Sequence, residues 1–162
     1  NRYGQHSKAK SRYNNAARIA QRELEKAENQ ADKSALENKI LQAKIQAAIT
    51  SYEIGKPEDG SQIIQALAES NPDHAMLDYA TGQIAKFNDD SEGAISAFTI
   101  ALGKNPRLSV AAVALSELYL KLDQRDQAVS TLEKYLSQNR YDRQTRKKLN
   151  ALKNQSKESS PQ

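Results

Sequence analysis

Cysteine is absent from this 162-residue chain, which excludes a disulfide framework, a thiolate metal site and a cysteine nucleophile together. Tryptophan is absent as well, and two Phe and seven Tyr are all the aromatic bulk there is. A thick core built on large aromatic centres is therefore not expected. No stretch reaches the roughly 18 consecutive apolar residues that a membrane-crossing helix needs. Proline and glycine are sparse, at four and six residues. What remains is rich in Ala, Leu, Ile, Gln, Glu and Lys, and all of these but Ile are strong helix formers. The composition implies an all-α chain, thin and layered. It does not fix a compartment, because cysteine-free chains occur in both cytoplasm and periplasm. No signal peptide is legible. A start at Asn1 without Met carries the expectation of an excised or processed product.

The net charge of +4 is unevenly spread. Residues 1–22 hold Arg2, Lys8, Lys10, Arg12, Arg18 and Arg22 and no acid. Residues 34–108 hold six bases and ten acids, and residues 140–157 hold seven bases and one acid. The ends are basic and the middle acidic.

A repeat dominates the rest. Gly82 is followed by Ala94, Phe98, Ala101 and Pro106. Moving 34 residues forward gives Ser116, Ala128, Leu132, Tyr135 and Arg140, and moving as far back gives Ala48, Gly60, Ile64, Leu67 and Pro72. Two small residues, a large apolar one, an apolar one and a helix-ending one recur in phase. Each unit reads as two helices. Turns are expected at Gly55-Lys56-Pro57, at Asn88-Asp89-Asp90 and at residues 123–126, with breaks near 71–73 and 105–108. The small pairs, Ala48 with Gly60, Gly82 with Ala94 and Ser116 with Ala128, are expected to face each other where two helices approach. No single hairpin buries its apolar side alone, so stacking has to supply the core.

This pattern resembles the tetratricopeptide repeat family over residues 41–142. The family's large aromatic early in the first helix is replaced by Lys44, Asp78 and Ala112, and Arg140 stands where the other units have Pro. The resemblance implies an α-solenoid of stacked antiparallel hairpins that acts as a protein-interaction scaffold. In that family the first helices of successive hairpins line a concave groove. Here the groove would carry Ile45, Ile49, Tyr52, Met76, Tyr79, Gln83, Phe87, Val113, Glu117 and Lys121. A chaperone-docking subset of the family clamps a terminal carboxylate with basic and amide side chains. The matching positions here are Ile45, Ile49, Met76, Ala80, Val110 and Ala114, none of which can do so.

The ends are read separately. Tyr13, Ala17, Ala20, Leu24, Ala27 and Ala31 follow an Ala-rich heptad seam, which predicts a helix over about residues 7–31. Ser34-Ala-Leu-Glu37 has the form of a capping box opening the first repeat helix, with an unbroken seam through Leu41, Ile45 and Ala48 as the alternative. Three uses of the N-terminal helix stay open: packing on the repeats, weak homo-oligomerisation through residues 7–31, and a stalk from an upstream membrane anchor. Residues 141–155 predict a capping helix with Asp142 as its N-cap, and residues 156–162 a disordered tail. The domains expected are thus 1–33 (basic N-terminal helix), 34–155 (repeats and cap) and 156–162.

No catalytic constellation is legible. His6 and His74 stand apart, no His/Asp/Glu set has metal-ligand spacing, and there is no Gly-rich phosphate loop. No enzyme activity, metal or cofactor is expected. The leading function is an adaptor that holds an apolar peptide or amphipathic helix of another protein during assembly of a larger complex. The alternatives are a regulatory domain of a larger enzyme and a basic nucleic-acid-binding protein. The last rests on Arg143, Arg146 and Lys147 sharing a face, and no aromatic interleaving for base stacking supports it.

Overall fold

The computed structural model describes residues 2–158 and the side chains of 4–154. Among the described residues every regular element is helical: α1 (Arg2–Leu24), α2 (Gln30–Glu53), α3 (Pro57–Ser70), α4 (Ala75–Phe87), α5 (Ser91–Lys104), α6 (Ser109–Lys121), α7 (Arg125–Gln138) and α8 (Arg143–Glu158). None of these helices is long and apolar enough to cross a membrane. The pairs α2/α3, α4/α5 and α6/α7 are the expected hairpins, and each stacks on the next helix along the chain.

The period appears in the backbone as well as in the side chains. Positive φ occurs at Gly55 (74°), Asp89 (56°) and Asp123 (57°), one position in each hairpin turn and always 34 residues apart. The second helix of every hairpin ends on an asparagine C-cap, Asn71, Asn105 and Asn139, again in phase. The side-chain amides of Asn71 and Asn139 donate to the carbonyls of Leu67 and Tyr135, which also accept the same residues' backbone N–H. Asn139 also reaches Pro106 O at 2.9 Å, tying its hairpin to the one before.

Left-handed backbone costs an L-residue roughly 1–2 kcal/mol, less for Asp, and costs Gly little. Asp123→Gly should therefore raise stability by about 0.5 kcal/mol and Gly55→Ala lower it by about 1 kcal/mol. Urea midpoints measure both, and a lower midpoint for Asp123→Gly would contradict this account.

The core consists of three clusters strung along the stack. Leu41, Ile45, Ala48, Ile49, Ile64, Leu77 and Ala80 join the first hairpin to α4. Ala94, Phe98, Ala114, Leu115 and Leu118 join α5 to α6. Ala112, Leu132, Tyr135, Leu136 and Leu149 join the third hairpin to α8. Each cluster takes residues from more than one hairpin, as a stacked array requires.

The small residues sit at the close approaches. A Cβ on Gly60 would lie 2.7 Å from Ala48 O, and Ser116 Oγ donates to Ala128 O at 3.2 Å. A Cβ on Gly82 would lie 2.5 Å from the ring of Phe98. Asp78, at a site where the repeat family prefers an aromatic, instead holds Lys104 at 2.9 Å.

The N-terminal segment departs from expectation. The helix expected over residues 7–31 ends at Leu24, and the next begins at Gln30. Asn29 is the reason. Its Oδ1 accepts from the Asp32 amide at 2.8 Å and its Nδ2 donates to the Asp32 carboxylate at 2.7 Å, a reciprocal cap. Heptad spacing through Ala27 and Ala31 is blind to such a break. Neither the Ser34–Glu37 box nor a continuous seam is formed, and the boundary expected between 33 and 34 falls inside α2. The segment packs within the chain. α1 lies antiparallel on α2, with Ala17 and Ala20 buried. His6 approaches Glu53 at 2.8 Å, and Lys10 pairs with Asp59 at the start of α3 at 3.0 Å. At the other end, residues 156–158, expected in the disordered tail, continue α8, while 159–162 lie outside the described residues.

Candidate functional site

The ten residues expected in one groove divide into three groups. Ile45 is fully buried and Ile49 nearly so, both in the first core cluster, and Met76 packs against them. Ile45 and Ile49 hold the fold together, and the expectation that these two line a surface is corrected, while Met76 is partly buried. The family resemblance placed Ile45 and Ile49 toward the concave side, but on α2 they are enclosed by residues of α3 and α4.

Tyr52 and Phe87 form a second group. Their rings stack with centroids 6.0 Å apart and planes 23° from parallel. The Tyr52 hydroxyl hydrogen-bonds Ser61 Oγ, and the Tyr52 ring fills the space above Gly60. Tyr52 thus fastens the first hairpin to α4, while Phe87 stays 44% exposed. Lys121 lies nearby in exposed surface, 3.5 Å from Asp89.

Tyr79, Gln83, Val113 and Glu117 are the group that does come together. They line a cavity of about 350 Å³ with Ser109, Val110 and Ala114 of α6 and with Asp142, Gln144, Thr145 and Lys148 at the start of α8. Three successive first helices, α4, α6 and α8, build it. Tyr79 forms the wall on α4. Its ring leans on Phe98, with centroids 5.8 Å apart, and its hydroxyl accepts from Gln83 Nε2 at 2.7 Å. Burial pushes the phenol's pKa above its ordinary value, so the neutral hydroxyl persists as a hydrogen-bonding group. Val110, at 44% exposure, and Val113 give apolar contact on α6.

The α8 wall was not anticipated in the sequence, where that helix reads as a solvated cap. It is held by Asp142, whose Oδ1 accepts the amides of Gln144 and Thr145 at 3.1 and 3.0 Å. The other oxygen accepts from Thr145 Oγ at 2.8 Å and from the Tyr135 hydroxyl at 3.0 Å. Those hydrogen bonds, led by the Thr145 amide, lower the Asp142 pKa. Lys148 pairs with Glu117 at 2.5 Å across the mouth of the cavity. Both are half-exposed, so the pair adds little stability and is open to exchange with a ligand's charges. A signal for this wall was present. Carried forward once more, the 34-residue phase takes Val110, Ala111, Ala114 and Leu115 onto Gln144, Thr145, Lys148 and Leu149. Thr145 is 2% exposed, at the place where Leu77 and Ala111 are buried. α8 is therefore laid down as the first helix of a fourth unit.

No protein-family model and no curated protein matches the sequence. Several solved structures share the fold, two of which serve as examples. The MamA protein is 16% identical, with a TM-score of 0.55 over 90% of this chain and 81% of its own. TTC0263, a thermophilic TPR protein of Thermus thermophilus, is 20% identical, with a TM-score of 0.61 over 92% of this chain and 94% of its own. At such identities the likeness is one of architecture. The chain has the tetratricopeptide-type helical-repeat fold.

Proposed function

We propose that this helical array is a non-catalytic interaction scaffold that takes a peptide or helix of another protein into the concave groove formed by α4, α6 and α8. The observation that carries the reading is the cavity on three successive first helices. Its walls present Val110, which is exposed, and Tyr79 and Val113, which are partly buried, Tyr79 also packing on the core. Apolar wall and polar rim together suit a chain segment that inserts one or two apolar side chains beside Tyr79. The backbone of that segment would meet Gln83, Ser109 and Gln144. On this reading the binding unit is the array of α2 to α8, and the chain serves in assembly of a larger complex.

Selection of displayed peptides on the immobilised chain tests the proposal. Selected peptides are expected to carry an apolar anchor. Val110→Glu and Val113→Arg should each weaken their binding by about tenfold or more, or about 1.4 kcal/mol, as truncation or charging of a hot spot does. Arg143→Glu on the outer face of α8 should leave binding unchanged. Peptides whose affinity ignores the two valines and falls steeply with salt would place recognition on the basic ends and defeat the proposal.

A further inference from the structure

The second and third hairpins are not braced alike. In the second, Lys104 near the end of α5 reaches Asp78 of α4 at 2.9 Å and donates to Pro72 O, also at 2.9 Å. Carried forward by 34 residues, Lys104 falls on Gln138 and Asp78 on Ala112, which cannot form that ion pair. Beside Gln138, between the second helices α5 and α7, lies a cavity of about 460 Å³. That is within the range of about 300–1,000 Å³ that small-molecule sites occupy. It shares no lining residue with the groove on α4, α6 and α8.

The floor is apolar. Leu115 belongs to the second core cluster, and Leu102 and Tyr119 pack against it. Thr99 and Thr131 line the walls, but each hydroxyl already donates to its own helix, to Ile95 O and Gln127 O at 2.7 Å. The donors that remain are the Lys134 ammonium and the Gln138 amide. Lys134 is the one charged side chain in the lining. It pairs with no carboxylate among the described residues, and the adjacent acid, Glu133, is held by Lys153 of α8 at 2.5 Å. An apolar floor with a single cation at its edge recognises an apolar body with an anionic head.

Gly103 is a second, independent sign. It lies inside α5, where glycine is unfavourable. Neither a left-handed backbone nor a close helix approach requires it: a Cβ built there meets nothing within 4 Å, unlike one on Gly60 or Gly82. Packing within the chain does not call for glycine at this wall, whereas a molecule lying along it would.

We propose that the cavity between α5, α6 and α7 binds a small, elongated organic carboxylate, with its aliphatic body on Leu102, Leu115 and Tyr119 and its head at Lys134 and Gln138.

Octanoate is the probe, because α7 runs about 10 Å from Thr131 to Gln138, close to the length of its extended chain. Titrated into the full chain, it should shift the backbone amide resonances of Gly103, Tyr119 and Lys134 and saturate. 1-Octanol and octylammonium keep the tail and change the head, and each should bind about fivefold more weakly or worse. Lys134→Glu, at an exposed position, should weaken octanoate by about fivefold or more. Gly103→Ala separates binding from folding. Its methyl enters open space, so the urea midpoint should rise, yet octanoate should bind about threefold more weakly or worse because the wall is filled. A Gly103→Ala chain with a lower midpoint or undiminished binding would overturn the proposal. So would equal affinity for the three head groups, indifference to Lys134→Glu, shifts centred on Tyr79 and Val113, or the absence of a saturable shift.

Discussion

Gly82→Leu is expected to unfold the array or lower its stability by at least about 3 kcal/mol, the upper part of the range for overpacked cores. The milder Gly82→Ala is the sharper test, because two effects predict opposite signs. Helix propensity alone favours Ala over Gly by about 1 kcal/mol in a helix interior. Against that, a Cβ at position 82 would lie 2.5 Å from Phe98 Cε1 and 2.6 Å from Phe98 Cδ1. Phe98 is fully buried in the second core cluster, and its ring is braced by Tyr79. It has nowhere to move, so the clash should win and Gly82→Ala should destabilise. Phe98→Leu alone removes ring volume and should itself cost a few kcal/mol. Combined with Gly82→Ala, it should cost less than the two changes added separately, since each relieves the other's misfit. Thermal or urea melts of the four proteins form the cycle. A Gly82→Ala chain more stable than the parent would show that the helices are not in close contact there.

The architecture was legible in the sequence because the repeat is enforced by sterics at fixed points. Gly60, Gly82 and Ser116 occupy helix crossings where a larger side chain does not fit, and Ile64, Phe98 and Leu132 fill the spaces between hairpins. Such positions tolerate few residue types and therefore stand out at a constant period. The turns were legible too, though Asp89 and Asp123 concealed a shared left-handed residue that only Gly55 announces by composition.

The groove was less legible, because a family's groove positions give direction and not depth. Ile45 and Tyr79 both point to the concave side of their helices, yet Ile45 has no exposed surface while Tyr79 lines a cavity. The difference is how closely the neighbouring first helix approaches. α2 and α4 are packed against each other, whereas the cavity opens between α4, α6 and α8. Helix separation is a tertiary property that no single segment encodes. At the N-terminal end the Ala seam correctly indicated a helix with a narrow apolar stripe. The end of that helix depended on a single side chain, Asn29, whose cap outcompetes the continuing period.

Asp142→Ala should have the second-largest effect, and it reaches the groove. Loss of an N-cap acceptor costs about 1–2 kcal/mol. The same carboxylate accepts from Thr145 Oγ and from the Tyr135 hydroxyl, on residues 2% and 7% exposed. Leaving those donors without it adds about 1 kcal/mol or more. A total near about 3 kcal/mol is large for a helix at the end of a stack. The expected result is fraying of α8 before the rest unfolds, with loss of the wall that carries Gln144, Thr145 and Lys148. Peptide binding in the groove should then fall even though α4 and α6 are intact. Asp142→Asn separates cap from charge, since its side-chain oxygen still accepts from the Gln144 and Thr145 amides. It should retain most of the stability at neutral pH and differ in pH response. The Asp142 pKa is lowered in the folded chain, so its ionised contribution is fully present above the ordinary carboxylate value, about pH 4. That contribution disappears as pH falls through the lower folded value. Urea melts across that acid range should therefore show the stability advantage of the parent over Asp142→Asn shrinking with falling pH. An advantage that is constant or grows toward acid would mean that the carboxylate is not what holds α8 in place.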